Sequence, residues 1–215
     1  MKITLFGSSG LIGNEILRIL ENDNTFESVN VVSRRPIDLN SEKCNLKIID
    51  FSDYNSYLKV IDGSDVVLAC IGTTQSKVSF NKKKYREIDF GIISKTVKAC
   101  KEKKVKHFSF VSSSGANINH KSFYLKLKGE IEEEVKSYHL NSSTVYRPSL
   151  LLGERKENRF GEKLAQIIIP MLSFLMPDNY KPIKAIDVAK AMVNESKNPG
   201  TGFKIYHYKK ILSYC

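Results

Sequence analysis

KITLFGSSGLIG, residues 2–13, begins as an apolar run and breaks into three glycines spaced three apart, Gly7, Gly10 and Gly13. An amphipathic stretch follows at once, with Ile12, Ile16, Ile19 and Leu20 at helical spacing. The pattern reads as strand, tight turn, helix. Glycine takes backbone angles that other residues resist, lets the main chain approach a pyrophosphate, and lets a helix pack close to a strand. The phosphates would then meet free N–H groups at the positive end of the helix. The spacing is GxxGxxG rather than GxGxxG, so a purely structural turn competes with this reading. The strand before and the helix after favour the dinucleotide.

Working outward, Val29–Ser33 is a second short apolar strand, and it ends in Arg34, Arg35 and Pro36. In a doubly wound fold the end of the second strand faces the adenosine ribose, where an acid binds a 2′-hydroxyl and an arginine suits a 2′-phosphate. Two arginines and no acid stand here, which favours NADP over NAD; a solvated basic pair is the alternative. Leu46–Ile49 gives a third strand, leading to Asp50 and Phe51 and a helix from about Asp53 to Val60. Asp50 is placed to accept from an adenine amino group with Phe51 against the ring, or simply to lead the helix. Asp65–Ile71 is a near-continuous apolar run, as a strand covered on both faces should be, and it ends at Gly72. A long helix over Tyr85–Glu102 precedes a strand over Lys106–Ser112. Strands alternating with helices argue an α/β fold: a Rossmann-like, doubly wound, mostly parallel sheet.

Length and composition agree. A chain of 215 residues suits one domain, with roughly residues 150–215 forming a small lobe on the substrate side. No secretory signal stands at the start, and the most apolar stretch, Leu164–Met176, is interrupted by Gln166 and Pro170 and is too short to span a bilayer. The four cysteines form no CxxC pair and find no histidine cluster, so no metal site is expected and the thiols read as reduced, in a cytoplasmic protein. The net charge of +11 is spread along the chain rather than gathered into a stripe, so nucleic acid is not the expected partner.

The chemistry begins at Val111–Gly115, VSSSG, at the end of the fifth strand, where open α/β sheets bind their ligands. Tyr124 follows Ser113 by eleven residues, and Lys128 follows Tyr124 by four. On a helix those two share a face. An ammonium beside a phenol favours the phenolate, so the tyrosine becomes a general acid or base. The spacing YxxxK occurs three times, at Tyr124/Lys128, Tyr180/Lys184 and Tyr206/Lys210. Pro182 interrupts the second pair, and the third starts in the alternating run FKIYHY, where a strand would hold the two far apart. Only Tyr124 opens an uninterrupted helical segment.

Taken together, GSSGLIG, SRR, CIGTT, VSSSGAN, YLKLKGEIE and YRPSLLLG resemble the atypical short-chain dehydrogenase/reductases, and among them the Tat-interacting protein oxidoreductase family of small NADPH-binding Rossmann proteins. The resemblance implies that Tyr124 protonates a substrate carbonyl while NADPH delivers hydride, that Lys128 holds the nicotinamide ribose, and that Ser113, with Ser112 as rival, positions the carbonyl. It further implies cofactor contacts from Ser9, Gly10, Leu11, Ile12, Arg34, Arg35, Ile71, Gly72, Leu151 and Arg159. The chain departs from that family in a shorter Ser-to-Tyr spacing. It also lacks an asparagine on the helix Tyr85–Glu102, where many members complete a proton relay. An NADPH-dependent reductase of a small carbonyl compound is therefore the expectation. An NADPH-sensing interaction protein with a protein partner is the alternative.

Overall fold

A computed structural model describes residues 1–73, 78–153 and 177–215. Strand β1 (Lys2–Phe6) leads through the glycine turn into helix α1 (Leu11–Asn22), and β2 (Ser28–Ser33) and β3 (Cys44–Ile48) follow. Next come α2 (Tyr54–Ile61), β4 (Val66–Ala69), α3 (Lys82–Glu102), β5 (His107–Val111), α4 (Phe123–Ser137) and β6 (Ser142–Tyr146). The remaining described elements are β7 (Leu151–Leu152), β8 (Ile183–Lys184), α5 (Ala185–Lys197), β9 (Gly202–Tyr206) and α6 (Tyr208–Leu212).

Seven strands form one sheet in the order β3-β2-β1-β4-β5-β6-β9, and every neighbouring pair is parallel. A parallel sheet puts all its strand ends on one edge. The register makes that concrete: Phe6 pairs with Val32 and Ala69, Ala69 with Phe110, Val111 with Tyr146, and Tyr146 with Tyr206. Gly7, Ser33, Cys70, Ser112, Arg147 and His207, each one residue past or at those positions, therefore line a single edge. Strand order reverses between β1 and β4, which is the switch point where such folds bind ligands.

Side chains alternate between the two faces. Ile3, Leu5, Val29, Val31, Val66 and Leu68 pack on α1 and α5, whereas Phe6, Val32, Val67, Phe108 and Phe110 pack on α2, α3 and α4. The one polar residue of β1 to enter this interior, Thr4, is satisfied there by Val60 O at 3.1 Å and Ser64 Oγ at 2.7 Å.

Several boundaries differ from the sequence reading for local reasons. Helix α3 starts at Lys82 because Asn81 caps it, its side chain accepting from Lys84 N at 3.0 Å. Helix α5 starts at Ala185, directly after β8, which pairs with β7; Asp187 sits in its first turn, where a carboxylate favours the helix dipole. The expectation that Tyr206 and Lys210 lie far apart fails: β9 ends at Tyr206, and α6 carries Lys210 back to 5.5 Å from the Tyr206 ring centre. Tyr206 is buried, its ring edge-on to Tyr146. In the C-terminal third, α5 and β9 complete the main layers, and the smaller feature is the two-stranded β7–β8 sheet. The apolar stretch Leu164–Met176 lies outside the described residues; among those described, no helix is long and apolar enough to cross a membrane.

Candidate functional site

The glycine turn is built by exclusion of side chains. Gly7 has φ +86°, and a Cβ there would lie 2.7 Å from the Cys70 carbonyl carbon and oxygen. A Cβ on Gly13 would lie 2.1 Å from Gly7 O, so helix α1 approaches the turn only because Gly13 has none. Gly10 occupies the N-cap position and its N–H donates to Gly7 O at 3.0 Å. Among the described residues no side chain caps α1, and no acid stands in its first turn. Asn14 N–H closes the first helical bond, onto Gly10 O at 2.9 Å, so the amides ahead of it lack intrahelical partners. Ser9 and Gly10 are exposed, Leu11 is half-buried and Ile12 is buried. An uncapped helix start in a cradle closed to any Cβ fits a pyrophosphate.

The neighbouring strand ends carry the other expected cofactor residues. Arg34 and Arg35 are exposed, and neither forms an ion pair among the described residues. Asp50 is exposed and accepts from Ser52 N at 2.8 Å and Ser52 Oγ at 2.7 Å, which hold its carboxyl below its ordinary range. Phe51 is half-buried against Phe6 and Tyr57, with ring centres at 6.4 and 5.9 Å. Ile71 is half-buried and Gly72 exposed at the end of β4. Leu151, in β7, is brought beside the start of α1, since a Cβ on Gly153 would lie 3.1 Å from Leu11 Cδ1. Arg159 lies outside the described residues.

The two serines at the end of β5 have different surroundings. Ser112 is buried and its Oγ donates to Glu132 Oε1, while Arg147 clasps the same carboxylate, Nε to Oε1 at 2.9 Å and Nη2 to Oε2. That hydroxyl is committed to a buried network. Ser113 is half-buried and its Oγ makes one contact among the described residues, Ser114 O at 3.2 Å. The next segment is pinned across the strand ends: Ser114 Oγ donates to Asn179 O at 2.6 Å, and Ser149 Oγ donates to Lys181 O.

Helix α4 presents Tyr124, Lys128 and Glu132 at four-residue intervals on one face. Tyr124 is half-buried, its ring edge-on to Tyr85 at 6.5 Å, and the Lys128 ammonium lies 5.9 Å from its ring centre. Lys128 is buried to 6% side-chain exposure and meets Asp89 of α3, itself 1% exposed, with Nζ 3.0 Å from Oδ2. Burial works against the ammonium, but Asp89, Tyr124 and Glu132 outweigh it and hold its pKa above the ordinary lysine value. The other Asp89 oxygen accepts from Thr73 N at 2.7 Å, and Tyr85 OH donates to Thr73 O at 3.0 Å. Asp89 Oδ2 itself has no aligned hydrogen-bond donor among the described residues.

Asp89, Glu132 and Arg147 were not among the residues singled out in the sequence. A signal existed for two of them. Asp89 lies four residues after Tyr85 on the buried stripe of α3, and Glu132 four after Lys128, so each puts an acid on an inward face. Of the histidines, His120 is exposed and accepts from Ser122 N at 2.9 Å. Among the described residues no group of three metal-ligating side chains is gathered.

Comparison with known proteins agrees with this geometry. A family model described as NAD(P)H-binding matches residues 7–199. Protein FMP52, mitochondrial, from Candida albicans is 32% identical over 200 residues, covering 90% of this chain and 87% of that protein. Protein HTATIP2 from Rattus norvegicus is 30% identical over 203 residues, covering 93% of this chain and 83% of that one. Among solved structures, the Bordetella bronchiseptica enzyme WbmH in complex with NAD+ superposes with a TM-score of 0.74 at 16% identity, over 96% of this chain and 75% of the other, a likeness of fold. The relatives overturn one expectation: the FMP52 proteins of Candida albicans, Meyerozyma guilliermondii and Scheffersomyces stipitis are named mitochondrial, so the cytoplasmic assignment does not stand. Unpaired thiols describe any reducing compartment, and could not separate the two. With its glycine cradle, its parallel seven-stranded sheet and a family match over most of its length, the chain belongs to the NAD(P)H-binding family, among the atypical short-chain dehydrogenase/reductase-like proteins.

Proposed function

We propose that the protein is an NADPH-dependent oxidoreductase that reduces a small carbonyl compound, with Tyr124 as the proton donor. The observation that carries this reading is the face of α4, where Tyr124 and Lys128 stand together beside the end of β5, next to the loop Ile71–Thr73. Gly7, Ser9, Gly10, Leu11, Ile12 and Gly13 would hold the pyrophosphate, Arg34 and Arg35 a 2′-phosphate, and Ile71, Gly72 and Leu151 the remaining walls of the dinucleotide site. Asp50 and Phe51 fit its adenine end. When bound, the nicotinamide supplies the hydride that forms the new C–H bond.

Tyr124 gives its phenolic proton to the carbonyl oxygen, so that the product is the alcohol and the phenolate is reprotonated from solvent. Lys128, buried and paired to Asp89, has its ammonium 5.9 Å from the Tyr124 ring centre, and would hold a ribose hydroxyl of the bound cofactor. Ser113, the strand-end serine outside the Glu132 network, is the better placed of the two to hold the substrate oxygen. The names of the FMP52 relatives support a mitochondrial setting.

The test is NADPH oxidation against a panel of aldehydes, ketones and quinones. Tyr124→Phe is expected to lower turnover of any substrate found by about a hundredfold or more, the ordinary worth of a positioned general acid, while leaving NADPH affinity close to wild type. NADPH binding without turnover across the panel would assign a sensor instead.

A further inference from the structure

We propose that Asp89 is a positioning residue that neutralises Lys128, so that Tyr124 enters the reaction as a phenol and the site is set for reduction rather than oxidation. The proposal rests on the reading of Tyr124 as the acid, and adds a direction to it. An unpaired ammonium beside a phenol draws it toward phenolate, the form that accepts a proton from an alcohol. Here that ammonium has a carboxylate 3.0 Å away, and both are shut off from water, where an ion pair is screened least. Seen from the phenol, the pair carries little net charge.

Among the described residues, the charged and titratable groups around Tyr124 and Lys128 come from two helices. Helix α3 contributes Asp89 and Tyr85, and α4 contributes Lys128 and Glu132. Lys82 lies over the adjoining Phe123 ring, 5.6 Å from its centre. Glu132 is paired to Arg147 beyond β6, so Asp89 is the carboxylate matched to Lys128. The same Asp89 binds the Thr73 amide at 2.7 Å, which ties the loop Ile71–Thr73 to the charge pair. Its side chain thus connects the cofactor-facing end of β4 to the proton-donating face of α4. Asparagine at this position would keep an oxygen for Thr73 and lose the charge, so it separates electrostatics from loop support.

The experiment follows the Tyr124 phenol directly, through tyrosine labelled with 13C at Cζ, its NMR resonance identified by its loss in Tyr124→Phe. Asp89→Asn is expected to lower the pH at which Tyr124 titrates by about one unit or more, the size of shift an uncompensated neighbouring charge produces. The alkaline limit of carbonyl reduction should move down with it. In Asp89→Asn/Lys128→Met, where both charges are gone, Tyr124 should titrate as in the wild type. That double variant decides the matter if the single one does not fold, since removing both partners of a buried pair is tolerated better than removing one. An unmoved Tyr124 in Asp89→Asn, or a rise of about one unit in the double variant, overturns the proposal. Should the titration move as stated while no carbonyl is ever reduced, the ion-pair assignment holds and the reductase reading is what fails.

Discussion

Two of the buried acid–base pairs among the described residues, Asp89–Lys128 and His107–Glu195, lie toward opposite ends of the strands and have different surroundings. At the carboxyl edge, Asp89 and Lys128 meet beside the exposed Gly72 and the half-buried Tyr124, and Asp89 Oδ2 lacks an aligned donor among the described residues. At the opposite edge, His107 at the start of β5 meets Glu195 of α5, Nε2 to Oε2 at 2.9 Å, with both side chains fully buried. Around that pair Ser142, Thr144 and Tyr146 supply further hydrogen bonds, while His107 Nε2, like Asp89 Oδ2, has no aligned hydrogen-bond partner among the described residues. Ser142 Oγ lies 2.8 Å from His107 Nδ1 and donates to Gly200 O, Thr144 Oγ1 donates to Glu195 Oε1 at 3.0 Å, and Tyr146 OH donates to Ala191 O at 3.2 Å. Burial of charge alone does not mark a site. Position on the ligand edge, with an accessible phenol and a glycine loop alongside, separates the first pair from the second.

The largest expected effect on this contrast comes from the sealed pair. Glu195→Ala leaves His107, Thr144 and Tyr146 facing a gap, and should cost about 3 kcal/mol or more of folding stability, read by urea unfolding. Its NADPH affinity should match wild type at temperatures where it is folded. A Glu195→Ala protein that stays folded yet loses NADPH binding would erase the distinction between the edges. A smaller effect is expected at the ligand edge from Arg34→Ala/Arg35→Ala: about tenfold weaker binding of NADPH, as for the loss of a charge-assisted phosphate contact, with NADH affinity unchanged. Equal losses for the two cofactors would remove the case for a 2′-phosphate.

The smallest effect is one of pH. Burial pushes the Glu195 carboxyl up, but His107 and the Thr144 hydroxyl more than reverse this and hold it below its ordinary value of 4.5. A lowered folded-state pKa means the unfolded chain binds the proton more readily. The carboxylate's contribution is therefore fully present above pH 4.5 and is lost as pH falls through the lower folded value. Unfolding temperatures measured between neutrality and strong acid should fall more steeply for wild type than for Glu195→Gln. Parallel curves would show that Glu195 gains nothing from its partners.

Much of this was legible in the chain because backbone-driven features repeat as patterns. Alternation of apolar strands with amphipathic helices, and Gly7, Gly10 and Gly13 between the first two, were enough to place a parallel sheet and its ligand edge. That Tyr124 and Lys128 share a face was legible because helical periodicity puts them there; the separation expected of Tyr206 and Lys210 from FKIYHY did not hold. Asp89 was not legible by the same route, because an asparagine was sought on α3 while the buried acid one turn beyond Tyr85 was passed over. The different surroundings of Ser112 and Ser113 come from Glu132 and Arg147, residues 20 and 35 positions beyond Ser112 in the chain, whose approach only the folded sheet brings about. The return of Lys210 over Tyr206 was likewise a matter of where β9 stops.

The most direct test of the account is the fate of a label. A substrate carbonyl taken from the panel is reduced with NADPH deuterated at the transferring carbon of the nicotinamide, and the alcohol is weighed by mass spectrometry. The account requires one deuterium on the carbinol carbon with the wild-type protein, and formation of that product slowed by about a hundredfold or more in Tyr124→Phe at equal cofactor occupancy. Label that stays on the bound cofactor, or a Tyr124→Phe protein that transfers it at the wild-type rate, would contradict it.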